Sequence, residues 1–329
     1  MDYKNYKEEI KTELSNALEG RGHTVDIQDK TTYKPNVNLD GFMVTLDGKD
    51  ESPITYMEEV ENLSESGMTT HDIVESLADR TERFYENIGP IKFNPQDFNK
   101  EFIKENAYLG VVNTEINREF LAQIPHEEIP GTDLSVFARA HVADKASITI
   151  TNDHAFEMGM TASEVIEVAK ERTMQADFSV KSMEETITEM MPEGFNADGL
   201  FAINQEEKPT MMVITNESKI EGANAIIVPE VFDEACEKMG CSEVVILPSS
   251  RHELIAVNPE NMGGMRASAD FKEMVEEVNR TEVSRADFLS DSIYKYDSAT
   301  HELTMCNEKG IFPETANMEK GLSVDISMK

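Results

Sequence analysis

Between two apolar runs, the residues Pro248-Ser249-Ser250-Arg251-His252-Glu253 crowd two hydroxyls, a guanidinium, an imidazole and a carboxylate into one short segment. An imidazole next to a hydroxyl can take its proton and make the oxygen a nucleophile, provided a third group orients the ring. If the chain is an enzyme, Ser249, Ser250, Arg251, His252 and Glu253 are where catalysis is expected. The same residue types also build a turn without chemistry. Proline fixes the bend, serines bond its backbone, and Arg251 pairs with Glu253 or a neighbouring carboxylate. Sequence proximity favours the turn, because a catalytic triad is assembled by geometry that adjacent positions do not ensure.

Two other segments put an imidazole beside carboxylates: His126-Glu127-Glu128 and Asp153-His154. Both fall at loop or helix-start positions, where carboxylates serve as caps and solvated groups. Cys236 and Cys241 lie on and just beyond a helix, but a structural zinc site needs two further ligands at comparable spacing, and His252 and His301 are distant in the chain. The thiols, Cys306 included, read as small apolar groups. No G-x-S-x-G elbow, phosphate-cradling loop or H-E-x-x-H helix occurs, and Gly263-Gly264 lacks the strand-to-helix setting of a dinucleotide site. No cofactor and no metal are expected.

Charge limits the function classes further. The 329 residues carry 30 basic and 64 acidic side chains, a net of -34. Residues 1–100 hold 11 basic and 21 acidic groups, 101–200 hold 7 and 19, and 201–329 hold 12 and 24, so the excess is even. Such a surface repels nucleic acid and anionic lipid throughout. It maintains solubility, and it can imitate a polyanion toward a basic partner. No run reaches the roughly 18–20 apolar residues of a membrane helix. The charged N-terminal residues lack the apolar core of a secretion signal, and three cysteines are too few for a disulfide framework. A cytoplasmic location is the expectation, and nothing specifies an oligomeric state.

The elements that must position these groups follow from periodicity. Tyr3, Tyr6, Ile10, Leu14 and Ala17 have helical spacing, ended by Gly20 and Gly22. Alternation over 23–27 and 42–46 reads as strands, with turns at Asp40-Gly41 and Asp47-Gly48. Helices follow over 53–63 and 70–88, then a short one opened by Asn94-Pro95. Tyr108–Val112 reads as extended and 115–121 as helical. A loop through Pro125, Pro130 and Gly131 precedes a hairpin of 134–142 and 146–151. Thr161 with Glu164 has capping-box spacing before a helix, and 180–191 reads as another. Breakers over 192–199 mark a boundary. Beyond it, 200–203, 211–215, 225–228, 243–247 and 254–257 read as strands, and helices begin at Pro229 and around Phe271. A last hairpin joins 293–296 to 302–305. The expected fold is α+β, with mixed, largely antiparallel sheets and flanking amphipathic helices. Two regions are expected, an N-terminal α+β region 1–195 with a sub-boundary near 89–96, and a C-terminal α+β domain 196–329.

Several segments carry a resemblance. They are Asp40-Gly41 followed by Ser52-Pro53-Ile54-Thr55-Tyr56, then Ser147-Ile148-Thr149-Ile150-Thr151-Asn152, Ile246-Leu247-Pro248-Ser249-Ser250-Arg251-His252-Glu253, and Val278-Asn279-Arg280-Thr281 with Leu289-Ser290-Asp291. Together they resemble an uncharacterised bacterial family, domain of unknown function 5688, sometimes found near mobile genetic elements. A more distant likeness to another uncharacterised bacterial family lies in the order of hairpin, helix, strand, proline turn and strand. The resemblance implies a bacterial context and brings no activity, cofactor or catalytic residue. The expected function is a non-enzymatic protein-interaction or regulatory role toward a basic protein partner, linked to a mobile element; the alternative is an enzyme with its site around 249–253. The purified protein should leave duplex DNA unshifted at physiological salt, and a salt-sensitive mobility shift would contradict this charge argument.

Overall fold

The structure is a computed structural model that describes residues 3–49, 52–87, 98–143, 146–191, 208–258 and 268–306. It falls into two compact units, Met1–Phe98 and Asn99–Lys329. Both are α+β, and every described strand pairing is antiparallel.

In the first unit, strands β1 (Val25–Lys34), β2 (Val37–Leu46) and β3 (Ile54–Tyr56) form a sheet in the order β1-β2-β3. Helices α1 (Tyr3–Gly20), α2 (Met57–Glu65) and α3 (Thr70–Asn87) supply its cover. Phe42, Val44 and Leu46 alternate onto one face of β2 and meet Ile10, Leu14 and Leu18 of α1, Val60 of α2, and Ile73 and Leu77 of α3. The Tyr85 hydroxyl fixes α3 to β2, accepting from Leu46 N at 3.2 Å and donating to Val44 O at 3.0 Å.

Gly41 differs from its sequence reading as a turn. It lies inside β2, where an added Cβ would run into the carbonyl oxygen of Thr55 on β3. The bend between β1 and β2 is instead Pro35-Asn36, with Asn36 at φ 63° and Lys34 paired to Val37. Glycine here serves close strand approach.

The second unit begins with α4 (Lys100–Asn106), β4 (Ala107–Asn113), α5 (Arg118–Leu121), β5 (His126–Glu128), β6 (Leu134–Ala143), β7 (Ala146–Thr149), α6 (Asn152–Glu157) and α7 (Ala162–Met174). Then come β8 (Phe178–Ser182), α8 (Met183–Met190), β9 (Met211–Asn216), a 3-10 helix (Gly222–Ile227), α9 (Pro229–Met239), β10 (Glu243–Ser250), β11 (Glu253–Val257), α10 (Ser268–Thr281), β12 (Tyr294–Asp297) and β13 (Glu302–Met305). One sheet runs β13-β12-β10-β11-β9-β8; a second runs β4-β6-β5, with β7 also on β6. Val245 and Leu247 of β10 pack with Phe271 and Val275 of α10, while Val244 and Ile246 on the other face are equally buried. Cover on both faces explains the unbroken apolar run that this strand shows in sequence.

The breaker-rich stretch around 195 falls inside the second unit, because β8 pairs with β9 across it, Val180 opposite Ile214. The proposed helix 180–191 is divided: Phe178–Ser182 is strand, and Ser182 then caps α8 through a capping box with Glu185. Residues 225–228 are not a strand: 225–227 end the 3-10 helix and Val228 follows as its extended cap. The segments at 89–96, 192–199, 200–203 and 263–264 lie outside the described residues.

Asp133, just before β6, joins the two sheets. Its carboxylate accepts from Asn113 Nδ2 (3.0 Å), Ser290 Oγ (2.7 Å), Ser292 Oγ (3.1 Å) and the Tyr294 hydroxyl of β12 (2.5 Å). Burial and then the adjacent Asp133 charge push the Tyr294 phenol well above its ordinary pKa, so it stays a donor. Asp133→Ala would orphan buried donors on both sheets and should cost about 2–4 kcal/mol in denaturant unfolding, against about 1 kcal/mol for Tyr294→Phe.

Candidate functional site

The segment Ser249–Glu253 spans the end of β10, the two-residue turn Arg251-His252 and the start of β11, and its side chains are committed within the fold. Ser249 Oγ donates to Glu253 Oε1 at 3.3 Å, and Ser250 Oγ accepts from His252 N at 3.1 Å. The backbone of Arg251 donates to Asp287 O (2.8 Å) and accepts from Ala223 N (3.1 Å), while His252 O accepts from Thr215 Oγ1 (2.7 Å).

His252 is oriented from both ring nitrogens. Its Nδ1 lies 3.2 Å from Glu221 N, a group that can only donate, so Nδ1 is an acceptor. The ring proton therefore sits on Nε2 and is donated to Asp287 Oδ1 at 3.0 Å. Neither serine hydroxyl bonds to the imidazole. Burial opposes ionisation of Asp287, but hydrogen bonds from Ser284 and His252 and the charge of Arg251 outweigh it and hold this carboxyl below the ordinary range.

Arg251 leads into a buried charge cluster absent from any local sequence motif. Its Nη2 bonds to Glu221 Oε1, and Arg139 Nη1 of β6 lies 3.4 Å from the same oxygen. The Glu221 side chain is 3% exposed. Arg139 Nη2 also donates to Ser147 Oγ of β7 at 2.7 Å, and Arg251 Nη1 to Ala286 O at 3.1 Å. Glu221 Oε2, Asn224 Oδ1 and the Nε atoms of both arginines are buried without a hydrogen-bond partner among the described residues.

Backbone shape sets this cluster up. Glu221 takes φ 57°, and Gly222 follows because a Cβ there would collide with Thr215 Oγ1 and His252 O. The 3-10 helix then runs between the sheets, with Asn224 Nδ2 donating to Leu109 O of β4 at 2.8 Å. Residues 249–253 thus position Glu221 and the 3-10 helix.

The far end of that helix, Ile226 and Ile227, walls a cleft of about 530 Å³. Leu109, Val136 and Phe232 continue the wall, the segment Ile129–Gly131 and β13 form its rim, and Glu127, Lys170, Tyr296, His301 and Glu302 bring polar groups to it. Met305 N donates to Gly131 O at 2.7 Å, holding β13 against that segment. In one corner the Tyr296 hydroxyl lies 2.9 Å from Asp233 Oδ1 and 3.2 Å from Pro229 O, both pure acceptors, so the third neighbour, His301 Nδ1 at 2.8 Å, must donate to the phenol oxygen. Burial and then Asp233 raise the Tyr296 pKa. Sequence reading missed this corner: His301 ends the β12–β13 turn and Asp233 sits on α9, so hairpin spacing alone could have linked only His301 to Tyr296.

The remaining sequence candidates take separate places. His126 Nδ1 contacts Ile124 O at 3.0 Å, and His154 closes a capping box with Thr151 at the start of α6. The cysteines are free thiols, and burial raises Cys306 to about 11. Among the described residues no three His, Cys, Asp or Glu side chains are grouped as metal ligands, and no helix is long and apolar enough to cross a membrane.

The family model described as Family of unknown function (DUF5688) matches residues 3–298, from α1 through β12. No curated protein and no solved structure matches the chain.

Glu221→Gln would leave two guanidiniums facing each other without a counter-charge and should cost about 3–5 kcal/mol in denaturant unfolding. A loss under about 1 kcal/mol would mean that water screens the cluster. Asp287, depressed in the folded state, adds stability above its unfolded value of about 4 and loses it as pH falls through the lower folded value. Asp287→Asn should therefore lower stability modestly near neutrality and change little at the acid end, flattening the acid side of a stability-versus-pH curve.

Proposed function

Because the chain belongs to the Family of unknown function (DUF5688), a description that carries no activity, we propose a binding role from its chemistry: a non-enzymatic bacterial regulatory protein of the cytoplasm whose acidic surface engages a basic protein partner. The mobile-element setting implied by the sequence resemblance belongs to the same proposal.

The supporting observation is how the scarce cations are used. Arg21 alone faces Glu75, Asp79 and Glu82, Lys7 faces Asp29 and Asp40, and Lys11 faces Glu8 and Asp29. Arg251 and Arg139 are drawn inward onto Glu221. With 64 acidic against 30 basic side chains, most carboxylates remain for an incoming cationic surface. Exposed ion pairs of this kind contribute roughly 0–1 kcal/mol each, so a partner can compete for their carboxylates.

The enzyme reading at Ser249, Ser250, Arg251, His252 and Glu253 is less well supported, since Ser249 is directed to Glu253 and both ring nitrogens of His252 are engaged elsewhere. Serine-reactive probes separate the two: labelling of Ser249 or Ser250 that vanishes in His252→Gln would establish the enzyme. For the binding role, a partner recovered by affinity purification from the native cell and identified by mass spectrometry should be basic. Its association rate should fall by about tenfold or more as salt rises from low to several hundred millimolar. A salt-insensitive rate would remove the electrostatic basis of the proposal.

A further inference from the structure

The cleft beside the 3-10 helix raises a question that a basic protein partner does not answer. Its volume, about 530 Å³, falls in the range of pockets that take small organic ligands. Its lining is largely apolar: the part-exposed Ile129, Ile227, Pro229 and Leu303 face it, backed by the buried Leu109, Val136, Ile226 and Phe232. A ligand there must carry a compact apolar portion, because an unmatched polar group would lose water without a partner.

The rim decides the charge of that ligand. Glu127 of β5 and Glu302 of β13 both line the cleft, are exposed, and have no side-chain hydrogen bond or ion pair among the described residues. Lys170 is the opposing charge, so two carboxylates against one ammonium leave one negative charge in excess. Lys170 stands on α7 between Glu167 and Glu171, and the whole chain carries -34. An anion approaching this rim climbs a repulsive field; a cation is drawn in.

We infer that this cleft binds a small amphipathic organic cation, an alkyl- or arylammonium whose apolar body packs against Ile129, Ile227 and Leu303 and whose ammonium group is drawn to Glu127 and Glu302. The inference is independent of the protein-partner proposal, since it needs only the second unit's own cleft.

Calorimetric titration of the full chain with hexylammonium, hexanol and hexanoate tests it. Hexylammonium should bind saturably at one site per chain, hexanol about tenfold more weakly, and hexanoate more weakly still. The Glu127→Gln/Glu302→Gln double variant, altering only exposed groups, should weaken hexylammonium by about tenfold with its melting curve unchanged. Lys170→Gln should bind it as tightly as wild type or more so. Leu303→Trp, filling the mouth, should abolish binding. The inference is overturned if hexanoate or hexanol equals hexylammonium, if no saturable binding occurs, if Lys170→Gln loses the ligand, or if the double carboxylate variant binds unchanged. Should Leu303→Trp fail to fold, the double carboxylate variant and Lys170→Gln decide the matter.

Discussion

Burying the Glu221 carboxylate would be prohibitive without compensation, since desolvating an ion in a protein interior costs several kcal/mol. Arg139 and Arg251 compensate it from opposite directions, one carried by β6 of the smaller sheet and the other by the β10–β11 turn of the larger. The arrangement is costly to break and specific in geometry, because removing one member leaves another charge stranded. Around it, His252, Thr215 and Gly222 hold the backbone in the one path that brings Glu221 to both arginines. The polar segment 249–253 is thereby explained as the support of a buried ion cluster.

Asp133 does comparable work at the other side of the second unit, collecting hydroxyl and amide donors from β4, from the segment before β12 and from β12 itself. The cleft lies between these two polar ties. Its wall includes the end of the 3-10 helix that Glu221 anchors, and its rim includes the Gly131 segment just ahead of Asp133.

Charge is organised differently in the two units. In the first, lysine and arginine form partly exposed bridges that join α1 to the sheet and to α3, each with more than one carboxylate. In the second, two arginines are internal. Both uses withdraw positive charge from the surface, so the outward field is more negative than composition alone would make it.

Many local signals were legible, although the Ser182–Glu185 capping box inside 180–191 was not. The start of α9 at Pro229 and its end at Gly240, the helical spacing of Ile10, Leu14 and Leu18, the Thr161–Glu164 capping box and the β12–β13 hairpin all follow from residues a few positions apart. So does the α+β class, which needs only the kinds and order of elements. The even acidity is a property of sequence outright. What failed had remote causes: Gly41 reads as a turn until Thr55 of the next strand is beside it, and 225–228 reads as a strand until Glu221 is caught between two distant arginines. The pairing of β8 with β9 across the breakers is likewise a matter of remote segments. Ser249–Glu253 could be singled out from residue types, yet whether the imidazole meets a hydroxyl or a backbone amide depends on where Glu221 and Asp287 arrive. Periodicity and capping act over a turn or two of chain and are written in the sequence, whereas hydrogen-bond direction, ion burial and the cleft between the sheets arise only when remote segments meet.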